Sequence, residues 1–466
     1  MIPILFLMIL VPFLAVIPVL ILEKKHSYIV AFIASLLVFL ISAYCLYYSY
    51  TNGPPALSFT NFYIPALNIN FSLVLTQPAL ILTVMTAIVF LAASMIGKYF
   101  IKDEGKLYNI IFLIALGSSV GVFMASNLFI FYVFWELAEV MMFFIIFIYG
   151  GYNRRYSAIK FLIYSVFSSL LLLIAILLIY NATTPHTFDI ATIVQYSSSI
   201  SPHTQLLIMV LLLLSFMIKM PVFPLHSWLP DAHTEAPTPG SMILAGVLLK
   251  FGGYGLYLMF LILPIATTYA HYIFIIFLFS AIYSAYVCMS QTNIKRLIAY
   301  TSITDMAIVG VGISAANVLG YNGGLYMMLS HGIAISLLFL IAGTLDEVYS
   351  TLEISKIRGV IKNFAGLSYL FIIGVFATLG IPLTIGFIAD ITLFIGAITA
   401  FGVLGVAPLL GILIMGATLF WVIERVFMNT SKAVEPYNSV SNYVMGAGIF
   451  LICAAVFFGI FPFLFI

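Results

Sequence analysis

The amino-acid sequence predicts an all-α polytopic membrane protein with about 14 transmembrane helices. Of its 466 residues, 64% are hydrophobic and only 7% are charged, whereas soluble globular domains are about a quarter charged. The apolar residues occur in runs of about 20, the length of helix that crosses the hydrocarbon core of a bilayer. Nearly all lysine and arginine residues lie between these runs, at alternate connections. These three observations exclude a soluble enzyme or binding domain.

The apolar runs give the predicted spans. These lie near Ile2–Leu22, Ser27–Tyr50, Leu73–Lys98, Tyr108–Ala125, Leu128–Gly150, Ser157–Tyr180, Gln205–Lys219, Pro239–Leu263, Tyr272–Ser290, Leu297–Ala315, Leu319–Gly343, Gly366–Ala400, Val403–Phe427 and Tyr443–Leu464. The first run precedes Glu23 and Lys24 rather than a small-residue cleavage site, so we interpret it as a retained span. The segment from His186 to Ser199 is too polar to span, and we expect an interfacial helix or a loop there.

The basic residues predict the orientation of the chain. Fifteen of the 17 lysines and arginines fall in odd-numbered connections, and the even-numbered connections contain none. By the positive-inside rule, the odd connections face the cytoplasm and both termini lie on the opposite side. The fifteen residues are Lys24, Lys25, Lys98, Lys102, Lys106, Arg154, Arg155, Lys160, Lys295, Arg296, Lys356, Arg358, Lys362, Arg425 and Lys432.

The two remaining basic residues, Lys219 and Lys250, lie in apolar runs. A charged side chain at the centre of a bilayer costs about 2.5–3.5 kcal/mol on insertion scales, so such residues face a polar interior and serve ions or protons. Burial disfavours the ammonium form of lysine, whereas a nearby carboxylate stabilises it. A change in the distance or charge of the carboxylate would therefore load or release a proton.

Four acidic residues are candidate partners of these lysines. Glu136 and Glu139 interrupt the fifth run, and Asp390 interrupts the twelfth. Asp305 lies in the tenth run, about two helical turns beyond the pair Lys295–Arg296. The spacing of Glu136 and Glu139 places both carboxylates on one helix face. Two alternatives stay open: a static ion pair of Glu136 with Lys219 that locks two helices, and a Glu139 that only packs against a neighbour.

Two of the predicted helices are interrupted. Pro221, Pro224 and Pro230 follow Lys219 and prevent a continuous helix. Glycine and proline also occur in the twelfth span, just before Asp390. Broken helices at the middle of a membrane are typical of ion sites in transporters, although a kinked packing helix is the alternative. Since the breaks are five spans apart, spans 4–8 and 9–13 suggest an internal repeat.

Histidine gives one further candidate. His331 lies deep in the eleventh span, where it can relay protons between a central lysine and a distal acid, or serve only as a structural residue. His226 and His233 lie near Asp231 and Glu235, but nothing in this proline-rich segment enforces metal-ligand geometry. We therefore predict no metal site.

Five segments resemble a known family. In chain order they are FWELAEVMMFFII, KMPVFPLHSWLPDAHTEAPTPGSMILAGVLLKFGGYGL, NIKRLIAYTSITDM, MMLSHGIAISLLF and LGIPLTIGFIADITLF. They closely resemble the antiporter-like membrane subunits of respiratory complex I, most of all the M-type subunit (mitochondrial subunit 4). The superfamily includes Mrp-type sodium/proton antiporter subunits and those of membrane-bound hydrogenases. The resemblance covers nearly the whole chain.

The resemblance implies a fold of 14 helices with two inverted five-helix repeats, each containing one discontinuous helix. On this basis, residues 1–107 form helices 1–3 and residues 108–263 form the first repeat, with broken helix 7. Residues 264–427 form the second repeat, with broken helix 12, and residues 428–466 form helix 14.

The resemblance also implies residue roles. Glu136 matches the glutamate of the fifth helix, and Lys219 matches its partner lysine on broken helix 7. Lys250 matches the central lysine of the eighth helix, and His331 matches the histidine of the eleventh. Asp390 stands where the M-type family usually has glutamate on broken helix 12.

Two other positions depart from the family pattern. Asp305 stands where histidine is usual after the AYTSI motif, and Asn293 stands where aspartate is common. We treat Glu139 and Asp305 as accessory candidates in proton translocation.

The expected function is a proton-translocating subunit of a redox-driven complex of the NADH:quinone oxidoreductase type, with further antiporter-like subunits as partners in a prokaryotic cell membrane or an organellar inner membrane. The alternatives are a subunit of an Mrp-type sodium/proton antiporter or of a hydrogenase-type complex, and a non-transporting scaffold. Neither a nucleic-acid partner nor a cofactor on this chain is expected. NADH or another donor, flavin, iron–sulfur clusters and quinone are expected on partner subunits, because Cys45, Cys288 and Cys453 are far apart and form no C-x-x-C motif.

Overall fold

The structure is a computed structural model that describes residues 4–53, 57–64, 69–102, 105–430 and 433–465. These residues contain 14 helices that are long and apolar enough to cross a membrane, so the predicted number of spans is confirmed. Lys432, which was assigned to the thirteenth connection, lies outside the described residues.

The helices follow one another along the chain, most of them joined by short connections. Their bounds are α1 Ile4–Ile21, α2 Lys24–Asn52, α3 Gln77–Phe100, α4 Gly105–Met124, α5 Leu128–Tyr149, α6 Arg154–Ala182, α7 Ile190–Tyr196, α8 Pro202–Lys219, α9 Trp228–Glu235, α10 Thr238–Ile243, α11 Leu249–Ile262, α12 Ile265–Thr268, α13 Ala270–Cys288, α14 Ile294–Ser314, α15 Val318–Tyr349, α16 Val360–Asn363, α17 Ala365–Thr378, α18 Ile385–Phe401, α19 Leu409–Val422 and α20 Asn442–Ile460. The short helix α7 lies in the segment from His186 to Ser199, where an interfacial helix or a loop was expected.

An antiparallel hairpin connects the second and third spans and was not predicted. Its strands are β1 Leu57–Ile64 and β2 Ile69–Leu75. The prediction that the third span begins at Leu73 is therefore wrong, because Leu73 lies in β2 and the helix begins at Gln77 after the N-cap Thr76. Apolar residues of a buried strand extend the hydrophobic run, so hydropathy alone does not separate strand from helix here.

The most deeply buried spans form the centre of the molecule. The tenth and eleventh spans, α14 and α15, are wholly buried over their most apolar segments, and the segment from Thr238 to Ile262 is nearly so. A span at the surface of the bundle would instead leave one face exposed, as α1 does, whose most apolar segment is only 28% buried. The polar and charged residues on these spans are consequently shielded from lipid, and they form the candidate site.

Both predicted interruptions are present. The seventh span, α8, ends at Lys219, and the chain continues through turns into the short helix α9. The twelfth span was expected as one interrupted run, Gly366–Ala400, and the structure divides it into α17 and α18, separated by residues 379–384. The thirteenth span, expected from Val403, begins at Leu409 after a 3₁₀ turn.

Candidate functional site

Lys219 is the last residue of α8 and is almost completely buried. Its ammonium donates to Oε1 of Glu139, whose side chain is 3% exposed. Three aromatic rings surround the ammonium at 5.6–5.8 Å from their centroids, those of Trp135, Phe161 and Phe251. The rings exclude water and contribute cation–π attraction, and the carboxylate offsets the cost of a buried positive charge.

Glu139, rather than Glu136, is the partner of Lys219, which corrects the pairing expected from the resemblance. Glu136 is partly exposed and lies beside the side chain of Tyr132, one turn earlier on α5. The three-residue offset rotates Glu136 by about 60° from Glu139, toward the outer face of α5 that carries the 42% exposed Val133. Only Glu139 therefore faces α8.

The two carboxylates of α5 still influence each other. Glu136 and Glu139 are close enough to repel one another electrostatically. One oxygen of Glu139, Oε2, is buried and accepts no hydrogen bond from the part of the chain that the structure describes. Glu139 is therefore held by a single strong partner, and it was predicted only as an accessory residue.

Lys250 lies on the eighth span directly after a widened π-helical turn, Leu244–Leu248. Its ammonium donates to the carbonyl of Ala245 at 2.6 Å and lies 2.6 Å from Nδ1 of His331. π-turns of this kind occur frequently at functional sites, and here the turn supplies a carbonyl to the lysine. With Lys250 as an ammonium, Nδ1 of His331 is the acceptor and the ring hydrogen lies on Nε2.

Gly252 brings the helices of the two lysines together. A Cβ at this position would lie 3.0 Å from Cβ of Lys219, 2.7 Å from the Met220 side chain and 2.9 Å from the carbonyl of Phe216. These distances are too short for any larger residue. Glycine at 252 therefore allows α8 to contact α11 within one turn of Lys250.

His331 connects Lys250 to a second buried acid. Its Nε2 lies 3.9 Å from Oδ2 of Asp305, and both side chains are at most 1% exposed. Neither Nε2 of His331 nor either oxygen of Asp305 has a hydrogen-bond partner among the described residues. The imidazole is thus placed between an ammonium and a carboxylate.

Asp390 lies one turn into α18, beside the second helix break. Its carboxylate rests against Gly380, whose φ of 63° is left-handed and whose missing side chain leaves room for Oδ2. The Oδ1 atom is buried and has no hydrogen-bond partner among the described residues. Ser330, adjacent to His331, packs close to Gly386 in the first turn of α18, where an added Cβ would lie 3.0 Å from its Oγ.

His233 is a buried group whose position the sequence did not predict. The ring is completely buried in α9, stacks on Phe339 at 4.3 Å, and has no hydrogen-bond partner on either nitrogen among the described residues. The sequence signal for α9 is the absence of glycine in WLPDAHTE, with Pro230 in the first turn, where a helix tolerates proline.

Asp231, two residues before His233, forms ion pairs with two basic side chains. Its oxygens lie 2.7 Å from Lys160 of α6 and 2.7 Å from Arg296 of α14. Among the described residues, no group of three or more histidine, cysteine, aspartate or glutamate side chains is placed to hold a metal ion. Asp231 instead joins the sixth and tenth spans.

Comparison with known proteins gives consistent matches. A family described as NADH:quinone oxidoreductase/Mrp antiporter, transmembrane, matches residues 125–420. NADH-quinone oxidoreductase subunit M of Rickettsia bellii is 33% identical over 446 residues, which cover 94% of this chain and 90% of that protein. NAD(P)H-quinone oxidoreductase chain 4 1 of Synechococcus elongatus is 34% identical over 395 residues, covering 83% and 74%.

Two solved structures share the fold. A chain of respiratory complex I from Thermus thermophilus superposes with a TM-score of 0.90 at 24% identity, covering 98% of this chain and 96% of that one. A chain of the Mrp complex from Dietzia sp. DQ12-45-1b gives a TM-score of 0.88 at 17% identity, covering 99% and 94%. At these identities, the matches establish the architecture.

Proposed function

This chain belongs to the family of NADH:quinone oxidoreductase/Mrp antiporter membrane subunits, and on that premise we propose that it translocates protons as the M-type, antiporter-like subunit of an NADH:quinone oxidoreductase complex. The observation that carries the proposal is the buried ion pair of Lys219 and Glu139. A full positive charge inside a transmembrane bundle is costly. A carboxylate beside the lysine stabilises the ammonium, so moving or neutralising that carboxylate makes the lysine release its proton.

The proposed route begins at Lys219. The neutral amine of Lys219 receives a proton from the cytoplasmic side, and the carboxylate of Glu139 stabilises the ammonium that forms. Glu136, at the outer edge of α5, is the second carboxylate, through which a neighbouring subunit acts on the pair by electrostatic repulsion or attraction. The contact of α8 with α11 at Gly252 supports transfer from Lys219 to Lys250.

The second part of the route begins at Lys250. The proton passes to His331, which lies 2.6 Å away, and continues past Asp305 toward Asp390 and the opposite side of the membrane. The wholly buried positions of Lys250 and His331 support a path inside the bundle rather than along its surface. In this route His331 acts after Lys250, not before it.

The repeat architecture is part of the proposal. We assign residues 108–263 and 264–427 to two inverted repeats, flanked by 1–107 and 428–466, with odd connections in the cytoplasm. Support comes from the two helix breaks, one beside Lys219 and the other beside Asp390, which occupy corresponding places in the two segments. Discontinuous helices in inverted repeats are a recurring arrangement around ion sites.

Electron transfer is assigned to partner subunits that carry flavin, iron–sulfur clusters and quinone. The cysteines of this chain support that assignment, because Cys45 and Cys288 are buried in α2 and α13 while Cys453 is exposed on α20. Thiolates on three separate helices do not supply the four ligands of a cluster.

The function is tested by Lys219→Ala in the intact complex, reconstituted into vesicles and supplied with NADH and quinone. We expect assembly to continue and NADH-driven acidification to be lost, because the switch is removed. Lys356→Ala is the matched control, since Lys356 pairs with Glu353 on the surface at 2.5 Å and lies outside the spans. Normal acidification by Lys219→Ala would refute the role.

A second candidate, a subunit of a sodium/proton antiporter, is supported by the match to the Mrp complex chain. This function predicts that a sodium gradient alone drives proton flux in the purified assembly. The M-type function predicts flux only during NADH oxidation. Identification of the subunits that purify with the chain distinguishes the same two alternatives.

A further inference from the structure

Lys250, His331 and Asp305 form a continuous row of buried titratable groups. Lys250 contacts one nitrogen of the imidazole at 2.6 Å, and Asp305 faces the other nitrogen at 3.9 Å. The three side chains come from three different spans, α11, α15 and α14, so their meeting is a property of the tertiary packing. Asp305 is the acidic member of this row.

Asp305 is an acid without any other evident partner. Of the groups around it, Lys250 attracts its charge, Asp390 repels it, and the thiol of Cys288 is affected by it. Its oxygens accept no hydrogen bond from the described residues, and its nearest ion-pair contact is His331. A structural aspartate in a span is normally hydrogen-bonded, so the arrangement needs another explanation.

Electrostatics supplies one. A positive Lys250 and a negative Asp305, separated by a neutral imidazole, neutralise each other's charge inside the bundle. When the proton moves from Lys250 to Asp305, both groups become neutral and the two opposite charges disappear together. In an interior of low polarity, this transfer costs far less than holding the two charges apart.

We propose that Asp305 is the proton acceptor of Lys250, with His331 as the bridge between them; this inference rests on the proposed function. The N–H bond of the Lys250 ammonium breaks as an N–H bond forms at Nδ1 of His331. The N–H bond at Nε2 breaks as an O–H bond forms on Asp305. The products are a neutral amine, the other neutral tautomer of the imidazole, and a neutral carboxylic acid, so protons and electrons balance.

Asp390 completes the sequence. Because Asp305 and Asp390 repel one another when both are charged, a protonated Asp305 can pass its proton on to Asp390 and return to the carboxylate form. The returning negative charge stabilises reprotonation of Lys250. The original His331 tautomer is restored when its single N–H proton leaves Nδ1 for water and water returns a proton to Nε2. Asp305 is therefore both the acceptor of the proton and the counter-ion that reloads the lysine.

The proposal is tested with Asp305→Asn, Asp305→Glu and the control Thr304→Val in the intact complex. Thr304 is the buried neighbour of Asp305 and bonds to Ser284 at 2.9 Å, so its replacement changes packing on the same turn without removing the acid. We expect Asp305→Asn to lower NADH-driven acidification at least about tenfold, since loss of a proton-transfer group costs about 10²–10⁴ in rate. Asp305→Glu is expected to retain most of the activity, and Thr304→Val all of it.

Infrared difference spectra of the complex, recorded with and without NADH, test whether Asp305 becomes protonated. A carbonyl band of a protonated carboxylic acid should appear during turnover, disappear in Asp305→Asn and shift in Asp305→Glu. A purely structural Asp305 produces no such band. Persistence of the same band in Asp305→Asn, or normal acidification by that variant, overturns the proposal.

Lys250→Met distinguishes a failure of the Asp305 proposal from a failure of the proposed function. Loss of acidification in Lys250→Met together with normal acidification in Asp305→Asn rejects the role of Asp305 and leaves the proposed function intact. Normal acidification in Lys250→Met rejects the function itself. Sodium-dependent activity that Asp305→Asn abolishes, without a carboxylic acid band, identifies a sodium ligand and also overturns proton acceptance.

Discussion

Lys219 forms its ion pair with Glu139, while Glu136, three residues earlier on the same helix, lies partly exposed beside Tyr132. Two carboxylates of one helix thus have separate environments. One is a buried counter-ion, and the other faces outward. This separation leads to opposite expectations for otherwise identical substitutions.

Glu139→Gln should destabilise the complex far more than Glu136→Gln does. Removing one partner of a buried ion pair leaves a charge without compensation, at a cost of about 3–5 kcal/mol. We expect Glu139→Gln to lower both the thermal stability of the complex and proton translocation, whereas Glu136→Gln should leave stability within about 0.5 kcal/mol. Thermal unfolding of the purified complex and vesicle acidification measure the two effects.

The double variant Glu139→Gln/Lys219→Met is the control for this comparison. It removes both charges, so it should recover stability without recovering translocation. Equal stability losses for Glu136→Gln and Glu139→Gln would contradict the pairing seen in the structure.

Gly252→Ala should separate the helices of the two lysines. The new Cβ would press against Lys219, Met220 and the Phe216 carbonyl, and overpacking of this kind costs about 1–3 kcal/mol. Translocation should fall with stability, because the contact between α8 and α11 is disturbed. Gly446→Ala is the matched control, since its Cβ would meet only Met95, at an ordinary 3.5 Å. A Gly252→Ala complex as stable and active as Gly446→Ala would rule out the close contact.

Gly380→Ala should disturb the second break in two ways. A left-handed conformation costs a non-glycine residue about 1–2 kcal/mol, and the new Cβ would displace the Asp390 carboxylate. Gly402→Ala is the control for backbone strain alone, because its φ is 59° and nothing lies within 4 Å of the new Cβ. Only Gly380→Ala is therefore expected to reduce acidification. A similar loss in Gly402→Ala would indicate that strain, not Asp390, is responsible.

His331→Gln should block transfer while retaining a polar contact with Lys250. An amide can accept a hydrogen bond from the ammonium, but it does not take up and release protons as imidazole does. The complex should assemble, oxidise NADH slowly and fail to acidify vesicles. Assembly is checked by subunit composition, and normal coupling in this variant would show that His331 is only structural.

The span count was predictable from sequence because bilayer thickness fixes the length of each apolar run. Lys219, Lys250 and Asp390 could be selected for a similar reason, since charges within such runs are costly. The identity of the Lys219 partner was not predictable, because the three-residue offset of Glu136 and Glu139 is only about 60° around a helix and the orientation of α5 is set by tertiary packing. Tertiary packing also explains why the stacking of His233 on Phe339 and the position of Asp305 beside His331 needed the structure.

The hairpin preceding α3 was missed for a local reason. Leu73 and Leu75 are buried strand residues that continue the apolar run of the third span. A window of about 19 residues averages over such a strand and places the helix start too early.

Asp231 has a mechanical consequence. Because one carboxylate pairs with Lys160 of the sixth span and Arg296 of the tenth, the short helix α9 that follows Lys219 is tied to both spans. Any sliding of one of these spans past the other must either carry α9 along or break an ion pair. Movement of the sixth or the tenth span would therefore displace the segment that follows α8, next to the ammonium of Lys219.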